Sequence, residues 1–415
     1  MSNPTLGDLC AVIADSEHKT APKDPDGPYP LVRTTDLGNA RVDFARAHRV
    51  DAETYAKWTR RGEPRVGDII LAREAPVGGV ARVPDDVHPV LGQRTVLLRP
   101  SEDVDSQFLT YRLAAPDLQA RMNEMATGAT VPHLNMSDIR GFEIPDLPPL
   151  LDQARRAAVL GAFDELIAIN ERRIELLEYL ARSIYREWFV RARWPGLLTA
   201  GRSHTGGWEQ ADLGSIARWF SGGTPSTKSE SYWGGGIPWI TSGSLRSVLL
   251  SDSERTLTTS GVTAGSRMVD RDAVLFVVRG MSLVREVRAG IADRPIAFGQ
   301  DCKALVAVEG IEPLFLAFTV LDRQGTMHGM VELAGHGTGK LSTDRVKALP
   351  VLVPPGEVQR AFTATVEPLR DAMSTAMANT GALKRTRDLI LPRLVTGRLD
   401  IADIDLGDLL AAEAA

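Results

Sequence analysis

The chain has 415 residues, of which 24% are charged and 43% hydrophobic, and its net charge at pH 7 is −5. This length allows two or three domains, and the composition is ordinary for a globular protein. We expect neither a membrane span nor a secretory signal, because the sequence contains no run of 18 apolar residues and no basic segment followed by an apolar one at its start. The two cysteines, Cys10 and Cys302, form no metal-binding pattern and suit a reducing cytoplasm.

The first 147 residues are predicted to form an α+β globule. Short runs of β-forming residues, such as 68–71 and 95–98, are separated by glycine and proline turns, and residues 104–125 have a helical pattern. These features predict a mixed, largely β globule with a twisted, partly barrel-like sheet.

A long helix is predicted over residues 148–194. Its seam positions recur three and four residues apart, which is the spacing of a coiled-coil heptad. They are Leu160, Phe163, Ile167, Asn170, Ile174, Leu177, Ala181, Ile184 and Trp188. A helix of about 40 residues spans roughly 60 Å, so we expect a strut in which Asn170 is the polar position that fixes the register.

The second half repeats this plan, with a globule at 195–353, a long helix at 354–400 and a tail at 401–415. The helix has the same seam spacing, with Arg387 in its one gap, although Pro368 and Gly381 weaken it. Its other seam positions are Phe362, Val366, Leu369, Met373, Ala376, Thr380, Leu383, Ile390 and Leu394. Corresponding segments lie 204 to 210 residues apart: 6–9 with 213–216, 29–37 with 237–245, 66–71 with 270–275, 92–93 with 299–300, and loosely 127–130 with 337–340.

This internal repeat predicts an architecture. The two long helices pair antiparallel through their seams, and the two globules sit at opposite ends of the pair. The chain then has approximate two-fold symmetry within one polypeptide.

Several motifs of the second half occur together in one known family. They are FSGGTPS at 220–226, YWGGGIPWITS at 232–242, LPVLVPP at 349–355 and RDLILPRL at 387–394, with Asn170 and EWFV at 187–190 in the first long helix. In this combination the chain resembles the specificity (S, HsdS) subunits of type I restriction-modification systems. The first globule departs from the pattern and keeps only YPLVRT at 29–34.

The resemblance implies a function and a set of partners. Residues 1–147 and 195–353 would be target recognition domains, and 148–194 and 354–400 the central and C-terminal conserved spacer helices. The chain would recognise a bipartite double-stranded DNA target and dock two modification methyltransferase subunits and a restriction (translocase) subunit in the cytoplasm. It would be a non-catalytic subunit without a cofactor or metal, since S-adenosylmethionine, ATP and Mg²⁺ are expected only on its partners.

Candidate DNA contacts are basic, amide, hydroxyl and glycine residues at predicted turns, because such groups bind phosphates and base edges. In the first globule they are Arg33, Thr34, Arg73, Gln93, Arg94, Thr127, Thr130, His133 and Asn135; in the second they are Ser221, Gly222, Gly223, Thr224, Thr241, Ser242, Arg279, Arg285, Gln300, Thr338 and Lys340. Candidate partner contacts, on the helices, are Phe163, Asn170, Trp188, Phe189, Leu383, Arg387 and Leu391.

Other interpretations stay open at this point. Residues 221–225 can form a plain structural turn, and Gln93 and Gln300 can be buried amides that satisfy backbone groups. Trp188 and Trp239 fit a core position better than base stacking. The chain could serve a methylation-only or atypical phage-defence assembly, or be a protein-interaction scaffold; an enzyme is disfavoured because the duplicated positions contain no paired carboxylates and no nucleophile with its base.

Overall fold

The computed structural model describes residues 3–38, 40–42, 44, 47–128, 131–195, 207–333 and 337–399. The chain divides into two compact units, Met1–Ala168 with Gly381–Ala415 (unit 1) and Ile169–Thr380 (unit 2). Each unit contains one globule and a part of both long helices. The predicted tail, 401–415, lies outside the described residues. In the part of the chain that is described, no helix has both the length and the apolar character needed to cross a membrane.

Unit 1 contains a four-stranded antiparallel sheet, β1-β9-β6-β7, and a three-stranded sheet, β5-β2-β8, in which β2 and β8 are parallel. Leu71, Leu98 and Phe142 are buried between the larger sheet and its helices. The strands are β1 (Cys10–Asp15), β2 (Tyr29–Val32), β3 (Leu37–Gly38), β4 (Arg41–Val42), β5 (His48–Val50), β6 (Ile69–Arg73), β7 (Val77–Arg82), β8 (Val90–Leu91) and β9 (Thr95–Pro100). The short helices are α1 (Leu6–Leu9), α2 (Ala52–Trp58), α3 (Ser106–Ala114), α4 (Pro116–Met125) and α5 (Met136–Arg140).

The long helix α6 (Leu150–Tyr185) follows and continues as a π-helical turn, Arg186–Val190. In unit 2 come β10 (Glu209–Asp212), β11 (Ala217–Ser221), β12 (Trp233–Ile240), β13 (Leu249–Leu250), β14 (Thr256–Leu257), α7 (Thr259–Gly265), β15 (Arg267–Val269), β16 (Val274–Val277), β17 (Arg279–Gly280), β18 (Ala289–Ala292), β19 (Ile296–Phe298) and β20 (Cys302–Ala307). They are followed by α8 (Pro313–Asp322), α9 (Gln324–His328), β21 (Glu332–Leu333), β22 (Gly339–Lys340), α10 (Thr343–Lys347), β23 (Pro350–Val353) and the long helix α11 (Gly356–Val395).

The sheets of unit 2 repeat those of unit 1. The order β11-β20-β16-β18 matches β1-β9-β6-β7, with β13 added at one edge, and β12 pairs in parallel with β19 as β2 does with β8. The registers also match, since Ala72 lies opposite Thr95 and Val277 opposite Cys302. The internal repeat and the α+β class predicted from the sequence are therefore confirmed.

Three details of the sequence prediction are wrong. The match of 66–71 with 270–275 is out of register by one residue, because Leu71 lies opposite Val96 and its counterpart Phe276 lies opposite Lys303. Each globule contains several separate sheets rather than one partly barrel-like sheet. The loose match of residues 127–130 with 337–340 is also out of register. Thr127 forms a bridge with His133, whereas the corresponding pair in unit 2 is Glu332 with Lys340.

Both long helices form as predicted. The helix α6 has 36 residues, and α11 has 40 and runs without interruption through Pro368 and Gly381. Every predicted seam position is buried or half-buried, including the polar Asn170. The heptad spacing thus identified the faces along which the helices pack.

The two helices pair antiparallel in each unit. In unit 1, Asp164 of α6 contacts Arg387 of α11, and Leu160, one turn earlier, shares a buried cluster with Leu394. In unit 2 the end of α6 meets the beginning of α11, where the Phe189 ring lies 5.0 Å from that of Phe362. The placement of the globules at opposite ends of the pair stays a prediction.

A buried glutamine in the first turn of each long helix links the helix to its globule by hydrogen bonds. The Gln153 amide accepts from the backbone N–H of Asp105 at 2.9 Å and donates to the carbonyl of Pro148 at 2.8 Å. Gln359 makes the same two bonds, to the N–H of Glu312 and the carbonyl of Pro354, both at 2.9 Å. The glutamine that follows each Pro-Pro pair in the sequence is thus a repeated structural element.

Candidate nucleic-acid interface

In unit 2, the ends of β16 and β20 open into a polar cleft of about 740 Å³. We call it the unit 2 cleft. Three of the predicted DNA contacts, Arg279, Gln300 and Lys340, line it together. Its other polar lining residues are Asp301, Lys303, Glu332, Ser342, Thr343, Asp344 and Arg345.

Backbone hydrogen bonds fix the rim of this cleft. The N–H of Val278 donates to the carbonyl of Asp301 at 2.8 Å, and the N–H of Leu341 donates to the carbonyl of Val278 at 2.9 Å. Arg279 and Lys340 lie opposite each other on β17 and β22, and Gln300 lies in the tight turn that leads into β20. The side chains of these three residues therefore project from well-defined strand ends rather than from a long loop.

The charges of the cleft leave two cations available. Among the described residues, Arg279 and Lys340 have no ion pair or side-chain hydrogen bond, and both are exposed. Lys303 donates to the Ser221 hydroxyl at 2.6 Å, and Arg345 pairs with Glu332 at 3.1 Å. An exposed amide beside two unpaired cations is a combination that can contact both phosphate and base edges.

Unit 1 contains a site at the equivalent strand ends. The N–H of Arg73 donates to the carbonyl of Arg94 at 3.0 Å, and the N–H of Leu134 donates to the carbonyl of Arg73 at 2.9 Å. These two bonds are equivalent to the two made by Val278. We call this place the unit 1 strand-end site, and its residues can be matched one by one with those of the unit 2 cleft. By this register, Glu74, Gln93, Arg94, Thr127 and His133 correspond in turn to Arg279, Gln300, Asp301, Glu332 and Lys340.

The glutamine is common to both sites, but the charged residues differ. Glu74 occupies the position of Arg279 in unit 2, and Arg94 occupies the position of Asp301. The acidic and the basic side chain have therefore exchanged positions between the two sites. Arg94 pairs with Glu74 at 3.2 Å and has a φ of +73°, an uncommon value for a residue other than glycine. Sequence comparison of the halves missed the positions of Glu74 and Asp301, because neither is a hydroxyl, amide or basic residue.

The interpretation of Gln93 and Gln300 as buried amides is wrong, because both side chains are exposed. Gln93 makes one weak bond, donating to the His18 carbonyl at 3.3 Å, and Gln300 makes none within the described residues. Both amides can therefore be reached by a ligand.

Other predicted contacts of unit 1 are engaged within the protein. Thr34 is buried, and its hydroxyl donates to the carbonyl of Ala75 at 2.9 Å. Arg33 donates to both carboxylate oxygens of Asp36, which raises the pKa of Arg33. Arg73 is largely buried beside Asp15, and Asn135 bonds to Asp138 at the start of α5. Thr130 lies outside the described residues.

Two glycines of the motif at 220–226 are required by the fold. A Cβ on Gly222 would lie 2.3 Å from the carbonyl oxygen of Gly299, and one on Gly223 would lie 2.3 Å from that of Gly265, so only glycine fits at either place. Thr224 is exposed, Thr241 caps a turn with Ser244, and Ser242 and Thr338 are half-buried. Arg285 is exposed at the end of the short helical turn Met281–Val284 and is not among the residues that line the cleft.

The predicted partner contacts are mostly used within the chain. Trp188 and Phe189 pack in the core of unit 2 and Arg387 is buried in unit 1, as Trp239 is in its own small cluster. Phe163, Asn170, Leu383 and Leu391 are half-buried. Four of the exposed apolar residues of α6 lie on another face, which we call the α6 stripe: Ile169, Leu176, Tyr179 and Leu180. Their own spacing of three, four and seven residues could have revealed this second face in the sequence.

A comparison with protein families decides the identity. The family described as "Type I restriction modification DNA specificity domain" matches this chain twice, at residues 2–179 and 205–379. The chain belongs to this family.

Relatives of this specificity family match either nearly the whole chain or a part of it. The type I restriction enzyme MjaIX specificity subunit of Methanocaldococcus jannaschii is 24% identical over 91% of this chain and 88% of its own length. The EcoR124I/EcoR124II specificity subunit of Escherichia coli is 25% identical over 35% of this chain and 37% of its own. The solved S subunit of the type I system of M. genitalium covers 95% of both chains at 19% identity with a TM-score of 0.57, which supports the shared fold.

The two matched regions make the chain a type I specificity subunit with two DNA specificity domains. Family members are named for specificity rather than for cleavage or methylation, and the chain is accordingly a non-catalytic subunit. Within the described residues, no group of three or more His, Cys, Asp or Glu side chains is placed to hold a metal ion.

Proposed function

We propose that each unit recognises one half of a bipartite double-stranded DNA target, unit 1 at its strand-end site and unit 2 at its cleft. The observation that carries the proposal is the match between the two sites: the same backbone hydrogen bonds present an exposed glutamine in both, while the charged neighbours differ. A duplicated scaffold with exchanged side chains suits the reading of two different sequences, because base edges are distinguished by the donors and acceptors that meet them.

Roles within each site follow from side-chain chemistry. Lys340 and Lys303 are point charges suited to phosphate, whereas the amides of Gln93 and Gln300 can donate and accept at one base edge. The overall charge of −5 does not oppose this assignment, because binding depends on the local charge and two unpaired cations, Arg279 and Lys340, line the cleft.

We place the docking of modification methyltransferase subunits, two per chain, on the long helices, with a restriction subunit joining them. The α6 stripe supports this, because Tyr179 is 71% and Leu176 50% exposed on a helix whose seam is already occupied. S-adenosylmethionine, ATP and Mg²⁺ would bind these partners. We assign the boundaries as 1–147, 148–194, 195–353, 354–400 and 401–415 and the location as the cytoplasm, which suits the two free thiols.

The test uses the full chain assembled with its modification subunits. Methylation sequencing of host DNA defines both halves of the target, and Gln93→Ala and Gln300→Ala are expected to relax one half each. Gln210→Ala, an exposed glutamine of β10, is the matched control and should leave both halves unchanged. If the assembly shows no salt-dependent binding to duplex DNA in a fluorescence titration, the chain is a protein scaffold instead.

A further inference from the structure

The exchanged pair of acidic and basic positions, at the unit 1 strand-end site and in the unit 2 cleft, carries a finer assignment, which rests on the proposed function. We infer that its guanidinium, Arg94 in unit 1 and Arg279 in unit 2, specifies a guanine in each half of the target. Arg94 lies in the turn before β9, whereas Arg279 lies on β17, at the position that Glu74 occupies in unit 1. The proposed DNA-contacting arginine therefore comes from a different strand end in each unit.

In unit 1 the carboxylate already orients the arginine. The Oε1 atom of Glu74 lies 3.2 Å from Nε of Arg94. The Arg94 side chain is 43% exposed and Glu74 only 19%, so the cation and not the acid faces solvent. The left-handed backbone of Arg94 holds it at the tip of the turn between β8 and β9.

In unit 2 the arginine comes from the neighbouring strand end. Arg279 is exposed, lies opposite Lys340, and shares the cleft with Asp301, the counterpart of Arg94. Among the described residues Arg279 has no side-chain partner, so its guanidinium is available to a ligand.

The chemistry favours guanine for both. The guanine edge in the major groove presents two acceptors, O6 and N7, whose spacing matches two N–H groups of a guanidinium, and this is the commonest specific contact between protein and DNA. In unit 1 the Glu74 carboxylate beside Arg94 also limits the rotation of the arginine and disfavours close approach to phosphate, because like charges repel. A lysine ammonium lacks the two N–H groups in fixed geometry that match the guanine edge, so Lys303 and Lys340 suit phosphate instead.

The experiment selects bound sequences from a randomised duplex pool with the chain assembled with its modification subunits. Arg94→Ala is expected to lose a guanine preference of about tenfold to a hundredfold at one position of one half-site, and Arg279→Ala at one position of the other half-site. Arg49→Ala in unit 1 and Arg218→Ala in unit 2 remove exposed arginines outside both sites and should change neither half. Thermal unfolding of each variant checks that the fold is retained.

The outcomes separate this assignment from the proposed function. If Arg94→Ala or Arg279→Ala weakens binding equally for all sequences and lowers the salt dependence by about one ion, that arginine contacts phosphate and the assignment is wrong, while DNA reading by the unit stands. Unchanged selection in both variants also overturns the assignment. If the unaltered assembly selects no sequence, the proposed function itself fails.

Discussion

The Arg387 guanidinium donates to the Asp164 carboxylate at 2.7 Å, and both residues are less than a tenth exposed. Asp164 also accepts from the Tyr111 hydroxyl at 2.7 Å and lies 3.4 Å from Arg41, so the pair joins both long helices to the globule of unit 1. The residue of α11 that corresponds to Asp164 is Arg370, which is buried in unit 2 and pairs with Asp272. Each half thus has a buried, ion-paired residue at the same helical position, with the sign of its charge reversed.

We expect Asp164→Asn to lower the free energy of unfolding of unit 1 by about 1–3 kcal/mol, because the buried Arg387 loses one of its two carboxylate partners and keeps only the exposed Asp388. Replacing both residues, as in Asp164→Leu with Arg387→Leu, should recover part of this loss, since the buried arginine charge is then absent while the Tyr111 hydroxyl still lacks its acceptor. Urea unfolding followed by circular dichroism measures both. The control is Arg172→Ala, whose ion pair with Glu175 is exposed on α6. Equal losses in the single and double variants would contradict this account.

The buried glutamines at the starts of the long helices predict a second effect on stability. Gln153→Leu leaves the N–H of Asp105 and the carbonyl of Pro148 without partners, at a cost of about 1–3 kcal/mol, and Gln359→Leu should cost a similar amount in unit 2. The two losses should add in the double variant, because the residues share no partner. Gln210→Leu on the surface of β10 serves as the control, and strongly unequal losses would show that the repeat does not conserve this role.

Much of this architecture could be predicted because it is encoded locally. The heptad spacing identified both long helices, because hydrophobic periodicity is set by residues a few positions apart. The offset between matching turn segments identified the repeat. The cleft could not be predicted, because Arg279, Gln300 and Lys340 come together only through the pairing of β16, β17, β20 and β22. The burial of Thr34 and Phe189 could not be predicted either. Both were predicted as surface contacts, but their neighbours in the folded chain are core residues.

The two cysteines should be unreactive in the folded chain. Burial raises the pKa of both the Cys10 and the Cys302 thiols to about 12, with Asp68 adding to the first shift and Asp301 to the second. At pH 8 the reactive thiolate is therefore scarce, and its fraction rises only as the pH approaches 12, whereas an ordinary thiol ionises near pH 8.5. We expect slow alkylation by iodoacetamide at pH 8, and rapid alkylation of both thiols once urea unfolds the chain. Rapid labelling of the folded chain at pH 8 would show that these sites open readily.

The α6 stripe predicts which surface holds the modification subunit. Leu176→Lys with Tyr179→Lys should abolish co-elution of the chain with that subunit in size-exclusion chromatography, because a lysine ammonium is costly to bury in an apolar interface. Thermal stability should be unchanged, since both side chains are already exposed. Val66→Lys, at an exposed apolar residue in the globule of unit 1, should leave co-elution intact. If the doubly substituted chain still assembles, the docking surface lies elsewhere on the helices. If Val66→Lys also prevents assembly, the effect comes from general surface charge.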